Sequence, residues 1–335
     1  MIWYKEQTNN DIVVSTRVRL ARNLLKYPFP NAMDSETKKS AREDIENSIM
    51  NSNSTLSKDF KIYHMDETDD VLKKRLAEEH LISPDLLKKK EASVLVNTDE
   101  NMSVMIMEED HLRMQVILGG FKLDEAYETA SRVDDVIDEN VQYAFDADFG
   151  YLTSCPTNTG TGLRASVMMH LPALTMTNSI QRIAASASSL GIAVRGMYGE
   201  GSKAYGALYQ ISNQVTLGIS EKEIIEKVKN IVNQIAEHEK QARNRLLENN
   251  KDYIEDKLFR SYGTLKYARS VSSDEAKALI SDVLMGKNMG IIETEANLIE
   301  LMIIAEPAYI EYMAKNRLSP EERDKKRAEL IRKTI

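Results

Sequence analysis

Residues 153–168 read TSCPTNTGTGLRASVM and place two glycines beside a cysteine, a proline and an arginine. The spacing Gly160-x-Gly162-x-x-Ala165 matches a dinucleotide-binding loop, but such a loop joins a strand to a helix in a parallel unit. Here the run before it, YAFDADFGYLT, and the run after it, ASVMMHL, both read as extended chain. The glycine loop therefore connects strand to strand, which speaks against a doubly wound parallel sheet.

The rest of the chain agrees. Residues 11–22, DIVVSTRVRLAR, alternate with period two: Ile12, Val14, Thr16, Val18 and Leu20 share one face, and Ser15, Arg17 and Arg19 the other. This predicts a half-buried strand presenting two arginines together. ASVLVN and MSVMIM, joined by TDEN, read as a hairpin that runs on into EEDHLRMQVIL. Helices are expected at 36–50 with Ser35 as cap, at 69–79, at 124–139 and at 178–190. GIAVRGMYGEG and ALYQISNQVTLG read as further strands, and from Glu221 the pattern is helical almost to the end. The predicted class is α+β, an antiparallel sheet flanked by helices and followed by a smaller all-α domain. Polar, turn-rich ENNKDYIED at 248–256 marks the boundary, giving domains 1–250 and 256–335.

A chain of 335 residues has room for two cores. Its net charge of −8 argues against direct nucleic-acid binding, which draws on surplus Lys and Arg. A single cysteine, Cys155, excludes an internal disulfide and fits a reducing compartment. No apolar run approaches the roughly 20 residues of a membrane span, and MIWYKEQTNN has no apolar signal core. A cytoplasmic protein with no membrane association is expected. Cys155 and five scattered His give no metal-ligand spacing, so no protein metal site is expected. Asp148-Phe149-Gly150 spells a protein-kinase triplet, yet no HRD-type loop, VAIK-type lysine or Walker loop accompanies it.

A polyphosphate can be held without a Walker loop if guanidinium forks converge on it. The candidates are Arg17 and Arg19 on one strand face, Arg113 after the acidic pair Glu108-Glu109, Arg164 after the glycine loop, and Arg195. Ser15 lies beside the first two, and the backbone of Gly160, Thr161 and Gly162 offers N–H groups to the same oxygens. Spacing alone leaves each of these arginines, and Glu109 and Glu200, open to either role, ligand or solvated surface residue.

The segments STRVRLAR, EEDHLR, GYLTSCPTNTGTGLRASV, RGMYGEGS and YQISNQVTLG, in this order and at these separations, resemble the catalytic domain of the phosphagen (guanidino) kinases. The resemblance covers most of residues 15–218 and is closer still to the bacterial protein arginine kinases of the McsB type. It implies ATP and Mg2+ as cofactors. It also implies that Arg17, Arg19, Arg113, Arg164 and Arg195 hold the ATP phosphates and the transferring phosphoryl group. Glu109 and Glu200 then grip the acceptor guanidinium, with Cys155 beside it. The chemistry asks for those types: a guanidinium, with pKa above about 12, has no free lone pair until carboxylates orient it and accept its proton. For Cys155, a supporting thiolate and a small buried apolar residue both fit.

Against the small-molecule phosphagen kinases three differences stand out. They carry a helical domain ahead of the STRVR-type strand, with a loop over the substrate, whereas here that strand begins at residue 15. An open site that admits an arginine side chain of a protein is therefore expected. Met107 and Met168 stand where Asn and His are usual, which leaves the adenine contacts open.

Residues 315–335 carry eight Lys or Arg against four Asp or Glu. Ser319-Pro320-Glu321-Glu322 reads as a capping box, and Arg323 and Arg327 fall on one face of the helix that follows, with Asp324 beside Arg327. RDKKRA resembles the RDxxRA element by which McsB-type kinases bind phosphoarginine allosterically, which assigns the phosphate to Arg and the guanidinium to Asp. The same resemblance implies protein substrates engaged through arginine, among them a heat-shock repressor and misfolded proteins marked for a Clp protease. It further implies a zinc-binding activator and a homo-oligomer. Two other functions remain: a guanidino kinase of small molecules, and a non-catalytic adaptor that reads phosphoarginine.

Overall fold

The structure is a computed structural model that describes residues 1–6, 10–52, 58–196 and 205–335. Its strands are β1 (Val13–Arg22), β2 (Phe60–His64), β3 (Ser93–Asn97), β4 (Met102–Ile106), β5 (Leu112–Gly119), β6 (Phe145–Asp146), β7 (Gly150–Tyr151), β8 (Leu163–His170), β9 (Ile192–Gly196) and β10 (Leu208–Asn213). Eight of them form one sheet in the order β2-β3-β4-β5-β1-β8-β10-β9, while β6 and β7 pair as a small separate ribbon. The pairs β2–β3, β3–β4, β4–β5 and β5–β1 are antiparallel. The expected α+β class is the one observed.

β1 lies inside the sheet, and Val13, Ser15, Thr16, Val18, Leu20 and Ala21 are all buried. The strand expected to be half-buried is thus covered on both faces, with Arg17 and Arg19 at intermediate exposure. Period-two alternation reports polarity rather than depth, because an arginine stem packs against apolar surface while its head reaches a polar opening.

Contacts divide the chain into two compact units. The first holds residues 1–3, 15–166 and 212–229, with helices α1 (Ser35–Met50), α2 (Asp70–Glu78) and α3 (Leu123–Asp138). The cap of α1 is Asp34, which accepts the Thr37 N–H at 2.8 Å, rather than Ser35, whose hydroxyl donates to Glu91. Asp69 caps α2. α3 buries Leu123, Ala126, Ala130, Val133 and Ile137, a helical stripe along its core side.

The second unit holds residues 4–14, 167–211 and 230–335. Its helices are α4 (Pro172–Met176), α5 (Ile180–Ser189), most of α6 (Glu221–Tyr267), α7 (Ser273–Asn288), α8 (Leu298–Ile304), α9 (Pro307–Ala314) and α10 (Pro320–Thr334). The stretch 248–256, read as turn-rich, is helical and departs from helical geometry only at Asn250 (φ −145°, ψ 37°). Its polar residues mark solvent exposure, while Ile254 and Leu258 keep the helical spacing and are buried.

Several buried polar groups in this unit are matched, although Nδ1 of His170 is buried without a hydrogen-bond partner. The Glu239 carboxylate accepts the N–H groups of Ala173 (3.1 Å) and Leu174 (3.0 Å) at the start of α4, and Arg243 Nε at 2.8 Å. His170 is fully buried against the Ser281 hydroxyl, 2.8 Å from Nε2; burial, helped by the Arg243 charge, pushes its pKa down to about 3. The capping box read at Ser319 and Glu322 is formed.

Candidate active site

In the first unit the β1–β5 register sets Arg17 opposite Ile117, Arg19 opposite Gln115 and Ala21 opposite Arg113, so Arg17, Arg19 and Arg113 share one face of the sheet. Arg164 joins them from β8: its charge and that of Arg113 reach both Arg17 and Arg19. Burial, then repulsion from Arg113 and Arg164, brings the Arg17 pKa down to about 10. Arg19 is lowered by burial and by Arg17, Arg113 and Arg164, with Glu108 opposing. Its Nε is buried without a hydrogen-bond partner. Four guanidiniums that repel one another around an unsatisfied donor fit a ligand carrying several negative charges.

The acidic pair adjoins this cluster. Arg113 donates Nη1 to Glu108 (2.9 Å) and Nη2 to Glu109 (3.2 Å). Glu108 is buried and also accepts the Ser83 hydroxyl, whereas the Glu109 side chain is 41% exposed. Burial raises the Glu109 pKa, Asp110, Glu108 and Asp85 push it the same way, and Arg113 opposes them. Such a carboxylate is open to an incoming guanidinium and readier than an ordinary glutamate to take its proton.

Asp110 fixes the neighbouring geometry. Buried, it accepts the Asn23 side-chain amide at 2.7 Å and the Ser154 N–H at 2.6 Å. It thereby ties the end of β1 and the turn bearing Glu109 to the loop bearing Cys155. The Cys155 thiol lies at intermediate exposure, 3.0 Å from the Thr157 hydroxyl.

The glycine loop differs from expectation. The Gly160 N–H donates to Tyr151 O (3.2 Å) and the Thr161 N–H to Thr216 O (3.0 Å), so both amides are engaged within the protein. The glycines serve close main-chain approach. A Cβ at Gly160 (φ +112°) would lie 2.2 Å from Thr216 O, and one at Gly162 (φ +63°) 2.5 Å from Ala21 O. A Cβ at Gly150 would lie 2.6 Å from Gly160 O. Arg22 locks the arrangement from beneath. It donates to Asp134 (Nη2, 2.6 Å), Ala21 O (2.9 Å) and Thr161 O (3.0 Å), and its guanidinium carbon lies 3.5 Å from the centre of the Tyr151 ring. The amides of Gly160 and Thr161 are thus taken up within the protein, and the loop leads directly into β8, which bears Arg164.

Ser15 is buried on β1 opposite Gly119. Arg195 is on β9 in the second unit, at intermediate exposure. Glu200 lies outside the described residues. Sequence reasoning passed over Glu108, Asp110 and Arg22. Their roles depend on burial and on partners distant in the chain, which spacing does not carry. Among the described residues no group of three or more His, Cys, Asp or Glu is placed to hold a metal ion.

In the C-terminal helix Arg323 pairs with Glu311 at 2.9 Å and Asp324 with Arg327 at 2.6 Å. Arg327 is 1% exposed and donates to Ala305 O (2.6 Å) and Val271 O (2.8 Å), so it braces the helical unit. Arg323 and Asp324 keep partial exposure.

Comparison with known proteins agrees with this geometry. The model of the ATP:guanido phosphotransferase C-terminal catalytic domain matches residues 41–242, and that of the protein-arginine kinase McsB C-terminal domain matches residues 251–335. The protein-arginine kinase of Brevibacillus brevis is 46% identical, covering 99% of this chain and 94% of the relative. That of Halothermothrix orenii is 48% identical, covering 96% and 92%. Among solved structures, a lombricine kinase superposes with a TM-score of 0.62 at 24% identity, covering 72% of this chain and 68% of that one, which supports the fold. With matches along nearly its whole length, the chain belongs to the protein-arginine kinase family of ATP:guanido phosphotransferases.

Proposed function

We propose that this chain transfers the γ-phosphoryl group of Mg-ATP to arginine side chains of proteins. The observation that carries the reading is the convergence of Arg17, Arg19, Arg113 and Arg164, with the orphan Nε of Arg19, beside the raised carboxyl of Glu109. Arg195 completes the set by resemblance. These arginines hold the phosphates and neutralise the charge that spreads over the transferring group, so catalysis is mainly positioning and electrostatics. Magnesium bound with the nucleotide would supply further positive charge at the phosphates that these arginines hold.

Glu109, with Glu200, aligns one guanidinium nitrogen in line with the γ-phosphorus. The nitrogen gives its proton to a carboxylate as the N–P bond forms and the bond from phosphorus to the bridging β-γ oxygen breaks. The electron pair of that bond leaves on ADP. Cys155 supports the acceptor from its loop. Binding of nucleotide draws Arg113 towards phosphate and loosens its hold on Glu109, which frees that carboxylate for the substrate.

Further parts of the reading rest on resemblance. They are a catalytic domain at 1–250 and a helical one at 256–335, supported by the family models that match residues 41–242 and 251–335, a cytoplasmic location, and a homo-oligomer. A heat-shock repressor and proteins marked for a Clp protease are the targets, with a zinc-binding activator. Arg323 and Asp324 are the accessible part of a phosphoarginine site, and Arg327 holds their helix in place.

The test is incubation with Mg-ATP and casein, followed by mass spectrometry under non-acidic conditions. Phosphoarginine is expected from the wild type, and about a hundredfold less or lower still from Glu109→Gln. Because the Glu109 carboxyl is raised, the acid limb of kcat/KM lies at higher pH than for an ordinary glutamate and is altered in that variant. Modification of free arginine alone favours the small-molecule kinase; absence of any transfer favours the adaptor.

A further inference from the structure

The ribbon of β6 and β7 is not used by the chemistry, yet it runs within four residues into the loop of Cys155. Its tip reads Phe145-Asp146-Ala147-Asp148-Phe149, and Phe145 and Phe149 are 58% and 55% exposed. Leaving two large aromatic rings in water is costly unless something uses them. Phe145 packs its edge on Tyr151, with centroids 5.3 Å apart, so the ring is held at the surface rather than loose. The turn is tied as well: one Asp146 oxygen accepts the N–H groups of Asp148 (2.8 Å) and Phe149 (3.0 Å). Asp148 itself is exposed.

The surroundings are acidic. Asp138 and Glu221 act on Tyr151, as does Asp134, which is buried and paired with Arg22. Exposed aromatic faces among carboxylates are matched by a cation that both ion-pairs and stacks, and arginine does both better than lysine. Through Asp110 the same stretch of chain is coupled to the turn of Glu109.

Resting on the arginine-kinase reading, we infer that the 145–149 hairpin tip is a docking surface for the substrate polypeptide. It takes an extended segment that carries a second arginine or lysine near the arginine being modified. The occupant is argued from charge complementarity and from continuity with the catalytic loop. A folded, acidic surface meets repulsion there.

Steady-state kinetics on the full chain test this, with casein as the polypeptide and the variants Phe149→Ser, Asp148→Lys and Phe149→Tyr, all at exposed positions. For Phe149→Ser the KM for casein is expected to rise about three- to fivefold, with kcat and the KM for Mg-ATP unchanged. Asp148→Lys raises it further, and Phe149→Tyr restores the wild-type value. A casein KM within twofold of wild type in both disruptive variants overturns the inference. So does a KM for Mg-ATP that moves in parallel, since the site itself would then be disturbed. A drop in oligomeric state of Phe149→Ser by light scattering also overturns it, because a second copy of the chain would then be the occupant. A wild type that modifies no arginine in casein refutes the parent reading, and the inference falls with it.

Discussion

Arg19 shows how a single side chain serves two opposing demands. Burial, and then the charges of Arg17, Arg113 and Arg164, depress its pKa in the folded protein, and its Nε has no hydrogen-bond partner. A depressed pKa on a base means that folding disfavours the charged form, so holding the charged guanidiniums together is a cost to stability. A bound polyanion reverses the sign. In Arg19→Met, which keeps an apolar stem, thermal unfolding without ligand is expected at the wild-type temperature or higher. The stabilisation by Mg-ATP, about 2.7 kcal/mol for wild type at a hundred times Kd, should shrink sharply. Calorimetry with and without nucleotide checks both halves. A lower unliganded temperature together with an unchanged shift would mean that Arg19 is structural.

At the scale of elements, α10 separates bracing from recognition. Arg327 is buried on the carbonyls of Ala305 and Val271 and on Asp324. Removing one partner from such a buried set costs about 3–5 kcal/mol, so Arg327→Ala is expected to unfold the helical unit early in denaturant. Arg323, with partial exposure and one carboxylate partner, should leave stability nearly unchanged when replaced by Ala. Fluorescence titration with phosphoarginine then isolates recognition in Arg323→Ala, and unchanged binding there would remove this residue from the proposed site. Sequence spacing placed both arginines on one face and saw the capping box, because caps and i,i+4 patterns are local. It could not see that one side chain points into the core. The same limit explains α6, where polar residues at 248–256 resembled a turn while Ile254 and Leu258 held the helix to its core.

For the whole molecule, acid stability falls chiefly on buried groups such as His170. Its pKa is about 3 in the fold, well under the ordinary value of 6.5. The unfolded chain therefore binds a proton that the folded one refuses. Stability is complete above pH 6.5 and declines as pH falls towards 3, by at most about 1.4 kcal/mol per pH unit from this residue. Denaturant unfolding of His170→Gln across that range should give a flatter profile, and an identical slope would move the effect elsewhere. The class of fold and the strand-to-strand setting of the glycine loop were legible because both rest on alternation, whereas the arginines were named through a motif read in order and their convergence could not be read from spacing. Glu108, Asp110 and Arg22 were not legible, since burial and long-range partners give them their work.

The stacking of Gly150 on Gly160, and of Gly160 on Thr216, brings main chain against main chain from two separated parts of the sequence. For a gene under random mutation, that stack is a place without neutral neighbours: any side chain there collides with peptide atoms that have nowhere to go. The loop between Gly150 and Gly160 is thus held against drift by geometry alone, whatever the selection on its chemistry. A lineage that acquires new protein targets must vary elsewhere, and the tip at 145–149, with its side chains standing in open solvent, is where this molecule has room to change.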